Sequence, residues 1–192
     1  PLGGNPPEGK DYLEKRAKRR GELAVADDEV LLLHSGKLDA LKRTKELLEA
    51  FAAVPELKAK LAIIGCIPEN EKQNLLPLME ADQRVVYLGW KKAPELLEYL
   101  CACDLYCQPG SVSATLQNAV CCGSAILSYP HMIYTEGLDY GNILWAESRA
   151  DMEETFRNIA DEKIDLEALR AGSRKCAQEL LDYRVLAARL YR

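Results

Sequence analysis

No stretch of this sequence stays apolar for the roughly 20 residues that a helix needs to cross a bilayer, so no membrane span is expected. No dense basic run follows the first 20 residues, and the net charge is -5. Nucleic acid is therefore not an expected partner, because phosphate-backbone binding needs clustered Lys and Arg. The seven cysteines (Cys66, Cys101, Cys103, Cys107, Cys121, Cys122 and Cys176) lack the spacing of a disulfide framework. Several sit inside apolar runs such as YLCACDLYC and NAVCCGSAIL. Such cysteines read as free thiols in a core, in a reducing cytoplasm. Cys103 and Cys107 have no second close pair, which a zinc site requires, so no metal is expected. Internal repeats, low-complexity tracts and a signal-peptide pattern are also missing.

What is present is an ordinary globular mixture. Hydrophobic residues make up 48% and charged residues 29% of 192 positions, enough for one domain with a proper core. The opening PLGGNPPEGK reads as an entry linker, and DYLEKRAKRRGEL as a charged helix, together filling residues 1–24. The basic residues of that helix are expected to form a solvated face or to meet a neighbour outside this sequence. Six short apolar runs follow: EVLLLHSG, KLAIIGC, RVVYLGW, DLYCQPG, SAILSYP and NILWA. Helical periodicity fills the gaps over 44–54, 72–80, 94–102 and 113–122, and C-terminal helices are expected over 164–192. Strands alternating with helices imply an α/β fold, a doubly wound parallel Rossmann-like sheet covered on both faces. Ligands of such sheets bind beyond the carboxyl ends of the strands.

Gly36, Gly65, Gly89 and Gly110 each follow or end an apolar run, placing four open loop mouths at that edge. Lys37 and Lys42 bracket the first loop, beside the free N–H groups of the next helix. A diphosphate suits that pairing, although two solvated loop charges would look the same. The fourth loop, Gln108 to Thr115, is built of small and hydroxylic residues. Ser111 or Ser113 can cap the following helix, whose amides form an anion site. An ordinary capped helix accounts for the serines equally well. What that leaves unexplained is the run of small residues, which a nearby ligand would require. His34 and His131 stand at strand ends, where structural histidines are commoner than catalytic ones.

These segments carry a family resemblance. GKLDALKRTKELLEAF resembles the GRLDPEKG…LLEAF of retaining GT-B glycosyltransferases of the family-4 type. KLAIIGCIPE is similar to their LVIVGDGPE, and RVVYLGW…ELLEYLCACDLYCQPG to their RVIFLGF…ELYAAADVFVLPS. NAVCCGSAIL resembles their EAMACGKPVV, and PLGGN the PLG-x-D that begins their second domain. The order and spacing hold over nearly the whole sequence.

The resemblance implies the C-terminal, nucleotide-sugar-binding half of a GT-B fold, occupying residues 1–192. It implies that Lys37 and Lys42 hold the donor diphosphate, with Ser111 and Ser113 beside them, and that Gly89, Trp90 and Lys91 line the base pocket. Trp90 as a plain core or rim aromatic fits as well. Gly36, Gly110 and His131 would form the donor-facing loops. The family's Glu-x7-Glu aligns with Gly110 and Asn118. An Asn118 amide can still hold a ribose hydroxyl, whereas Gly110 replaces no carboxylate. The donor would be a nucleoside-diphosphate sugar acting as substrate, with no further cofactor. The N-terminal acceptor domain would lie outside this sequence, and the full enzyme has room for peripheral membrane association. The implied activity is transfer of a sugar to a glycan or lipid-linked acceptor, the isolated domain being inactive. The missing carboxylates favour a different reading, a non-catalytic nucleotide-binding or scaffolding module. A flavodoxin- or receiver-like domain lacks its acidic phosphoacceptor cluster here.

Overall fold

A computed structural model describes residues 7–190. Each of the six apolar runs forms a strand, at Val30–Lys37 (β1), Ala59–Cys66 (β2), Val85–Tyr87 (β3), Leu105–Gln108 (β4), Ala125–Ser128 (β5) and Ile143–Trp145 (β6). All neighbours pair in parallel, in the order β3-β2-β1-β4-β5-β6. This is the doubly wound order, reversing between β1 and β4. Successive residues of a strand feed opposite faces, as the strand period of two requires. Leu31, Leu33, Ala62 and Ile64 enter one core, while Leu32, Leu61 and Ile63 enter the other.

The helices are Gly9–Glu22 (α1), Thr44–Ala52 (α2), Glu69–Ala81 (α3), Ala93–Ala102 (α4) and Ala114–Cys121 (α5). Then come Met132–Thr135 (α6), Arg149–Ala160 (α7), Leu166–Cys176 (α8) and Tyr183–Leu190 (α9). Helices α2, α3 and α7 feed the core of Leu32, Phe51 and Phe156, and α4, α5 and α8 the opposite one. A 3-10 turn at Ala40–Lys42 links β1 to α2.

Four expectations need correction. The stretch PLGGNPPEGK is not linker throughout, since α1 begins at Gly9; its residues 1–6 lie outside those described. The arginines of α1 do not join a solvated face, although Lys10 and Lys18 stay exposed. Arg16 and Arg20 reach Asp104 at 2.5 and 2.8 Å, and Arg19 reaches Glu98 at 2.8 Å, docking α1 on the domain itself. Burial of a carboxylate favours this outcome, because Arg16 and Arg20 supply the closest cations to Asp104. Six cysteines are buried as expected, but Cys66 is exposed, because β2 carries it past the end of the core. The turn α6 also escaped the sequence reading, being a single turn too short for periodicity.

Candidate functional site

The carboxyl ends of β1 and β2 are opened by paired glycines. Gly36 and Gly65 are register partners with φ of 141° and 147°. A Cβ on Gly65 would stand 1.8 Å from the Gly36 carbonyl oxygen, so neither strand end tolerates a side chain there. Beyond them lies a cleft of about 510 Å³ lined by β1, β2, the loop after β3, α4 through Leu96, and α5. β1 supplies Ser35, Gly36 and Lys37, and β2 supplies Gly65 and Cys66. The loop after β3 brings Trp90 and Lys91, and α5 brings Thr115. No Asp or Glu is among the lining residues.

Trp90 is 63% exposed, which removes it from the core and places it among the residues that line the cleft. The Lys37 side chain is 73% exposed, with Asp39 3.9 Å away. Lys42 is held differently. Its aliphatic stem covers Gly36, where an added Cβ would meet Cε at 3.0 Å. Its Nζ donates to the Ser111 carbonyl at 3.3 Å. Burial pushes the Lys42 ammonium below its ordinary pKa, against the pull of the Asp39 carboxylate. A half-buried cation with a single carbonyl acceptor is placed to gain from an anion.

The fourth loop is stitched to the first. Ser111 N donates to the Leu41 carbonyl at 2.8 Å, and the Gln108 side-chain amide donates to the Ser111 carbonyl. Gly110 is buried, and a Cβ there would meet the Leu41 carbonyl oxygen at 2.1 Å. The small residue at this position is demanded by the backbone of the neighbouring turn. A ligand is not needed to explain it, contrary to the sequence argument. Ser113 caps α5, its hydroxyl accepting from Thr115 N at 3.2 Å, while its own amide donates to Tyr134 Oη at 2.8 Å. His131 donates from Nε2 to the Gly110 carbonyl at 2.9 Å, between the rings of Tyr129 and Tyr134.

Beneath the site the polar groups are paired. His34 is fully buried, donating from Nδ1 to the Cys107 carbonyl at 2.8 Å and accepting at Nε2 from the Thr44 hydroxyl at 2.9 Å. Burial, with the Lys42 charge adding to it, brings its pKa down to about 4, so the ring is neutral and structural. Ser35 Oγ and Tyr106 Oη lie 3.0 Å apart, and Tyr106 donates to Gln108 Oε1 at 3.1 Å.

The structure thus brings Gly36, Lys37, Trp90 and Lys91 to one cleft, with Lys42 behind Gly36. Gly89 precedes Trp90 in the left-handed region, with φ of 66°. Asn118 lies one helical turn beyond Thr115, exposed in an adjoining hollow that shares Leu96 with the cleft. Sequence reasoning did not bring Cys66 or Arg43 to the site, and took Thr115 only as the end of the fourth loop. Thr115 sits three residues before Asn118, the spacing that puts both on one helix face, and that signal was available. Arg43 carried none, since its backbone conformation (φ 55°) is not written in its residue type.

Comparison with known proteins adds the following. The family described as "Glycosyl transferases group 1" matches residues 15–174. The N-acetyl-alpha-D-glucosaminyl L-malate synthase of Bacillus anthracis is 30% identical over 107 residues, 53% of this chain and 28% of that protein. Among solved structures, Anabaena Alr3699/HepE in complex with UDP and glucose matches with a TM-score of 0.74 at 16% identity, covering 93% of this chain and 51% of that one. Sucrose-phosphate synthase from Thermosynechococcus elongatus matches with a TM-score of 0.77 at 18% identity, covering 99% and 50%. The chain spans about half the length of these two structures.

Proposed function

Because this chain belongs to the glycosyl transferases group 1 family, we propose that it is the donor-binding half of a GT-B enzyme that moves a sugar from a nucleoside diphosphate to an acceptor. The observation that carries this reading is the cleft beyond the carboxyl ends of β1 and β2. Cations stand in or beside it, an exposed Trp is among its lining residues, and no carboxylate lines it. Lys37 and Lys42 neutralise the departing diphosphate, a role that gains strength where burial lowers the local dielectric. Lys42 exchanges its bond to the Ser111 carbonyl for one to phosphate. Ser111 and Ser113 border the diphosphate at the start of α5. Trp90 and Lys91 hold the base behind Gly89, and Asn118 offers its amide to the ribose. Gly36 gives Lys42 its room, while Gly110 and His131 shape the loop without touching the sugar.

The acceptor, a glycan or a lipid-linked glycan, binds against a second domain. This half alone therefore binds donor and transfers nothing. Buried free thiols fit a cytoplasmic setting. Among the described residues no helix is long and apolar enough to cross a membrane.

UDP accompanies one of the structural relatives, which makes it the first probe. Thermal shift with UDP, UMP and uridine tests the reading. At one hundred times the dissociation constant, UDP should stabilise by about 2.7 kcal/mol. Uridine at the same concentration should do much less, and equal shifts would contradict a diphosphate site. The buried Gly110 also favours a second reading, a nucleotide-binding module without transfer activity. Donor hydrolysis or transfer by the full-length protein separates the two.

A further inference from the structure

Arg43 closes the turn that carries Lys42, and its backbone lies at φ 55° and ψ 33°. Residues with a side chain occupy this left-handed region at a cost, so the surroundings must hold it there. The turn sends the two neighbouring side chains apart. Lys42 runs over Gly36 to the Ser111 carbonyl. Arg43 runs the other way, and its Nη1 donates to the Pro109 carbonyl at 3.2 Å and to the Glu147 carbonyl at 3.0 Å. Its Nε lies 3.6 Å from Glu46 Oε1. One guanidinium thereby joins the loops that follow β1, β4 and β6.

We propose that Arg43 is a positioning residue for the diphosphate site: by satisfying the Pro109 carbonyl it keeps Lys42 available to the donor. This deepens the reading above and rests on it. Pro109 is buried, so its carbonyl needs a donor, and a buried acceptor left alone is costly. The neighbouring cation on the same turn is Lys42, whose Nζ already reaches the carbonyl two residues along. Without Arg43, Lys42 is drawn to Pro109 and held away from phosphate. The effect is confined to the diphosphate, since Trp90 and Lys91 belong to a different loop.

Two variants and two ligands test this by calorimetry, with unliganded melting measured alongside. Arg43→Gly deletes the bridge and relieves the backbone, so the melting midpoint should stay near that of the parent. Arg43→Lys keeps the charge with one flexible ammonium in place of the planar fork. Both should bind UDP about tenfold or more weakly, the scale of one charge-assisted hydrogen bond, with uridine affinity unchanged. Should the Gly variant not fold, the Lys variant decides. Parental UDP affinity in Arg43→Lys reduces the role to charge alone and overturns the proposal, as does an equal loss for UDP and uridine. A parent protein that does not prefer UDP to uridine refutes the diphosphate reading instead.

Discussion

At the amino edge of the sheet, Arg16, Arg20 and Arg170 converge on Asp104, whose side chain is 11% exposed. Asp104 also accepts from Leu31 N at 2.8 Å, tying α1, α8, β1 and the start of β4 together. At the carboxyl edge, Lys37 and Lys91 face a cleft that no Asp or Glu lines, and Lys42 has only a carbonyl and the distant pull of Asp39. Cations gather at both edges. At one edge the protein supplies the anion itself, and the cluster is architecture. At the other, Lys37 has Asp39 3.9 Å away and Lys42 holds only a carbonyl, so less of the charge is met within the chain, and the proposed anion site rests on that asymmetry.

The largest expected effect breaks the closed edge. Asp104→Ala leaves three arginines without their shared carboxylate and should cost about 3–5 kcal/mol of stability in denaturant unfolding. Its preference for UDP over uridine should survive in whatever fraction folds. A loss below about 1 kcal/mol would place the cluster with ordinary surface pairs, which are worth that much or less.

Acid acts on the base of the open edge. The folded pKa of His34, about 4, lies below the ordinary 6.5, so the folded state binds fewer protons between these values. Stability is complete above 6.5 and is lost as pH falls toward 4, by roughly 3 kcal/mol at most. A stability–pH curve that stays flat across this window would place the ring in contact with water.

Gly110→Glu sharpens the comparison at the loop between. The new side chain meets the backbone of Leu41 and Lys42, so about 1–3 kcal/mol of overpacking and weakened UDP binding are expected. A variant of unchanged stability with altered sugar preference would show that position 110 faces the donor after all. Trp90→Ala should cost the least, about 0.5–1.5 kcal/mol of affinity, and equally for UDP and uridine, because stacking engages the base. A loss seen only with UDP would move Trp90 from the base to the phosphates.

Much of the open edge was legible in the sequence. Apolar runs ending in glycine fix where a parallel strand stops, and Gly36 with Lys37 announced the cleft directly. Lys42 was singled out as well, although its buried course over Gly36, behind the cleft, depends on tertiary packing. The closed edge was not legible. Arg16 and Arg20 lie more than 80 residues from Asp104 in sequence, and nothing local distinguishes a docked arginine from a solvated one. Gly110 shows the same limit from the other side. Its residue type announces a close approach but not whether a ligand or the chain's own backbone makes it. Arg43 hides behind a backbone angle that only the folded turn imposes.

The central claim is that the carboxyl edge awaits a diphosphate, and calorimetry of UDP and uridine on the parent and Lys42→Ala tests it most directly. The parent should bind UDP more tightly than uridine. Lys42→Ala should lose about 1.5–3 kcal/mol of UDP affinity, a factor of about ten to a hundred or somewhat more, and leave uridine untouched. Because burial already lowers the Lys42 pKa, the parent's advantage should fade as pH rises and the ammonium loses its proton, sooner than an ordinary lysine would allow. Identical UDP affinity in parent and variant, at every pH, would contradict the account.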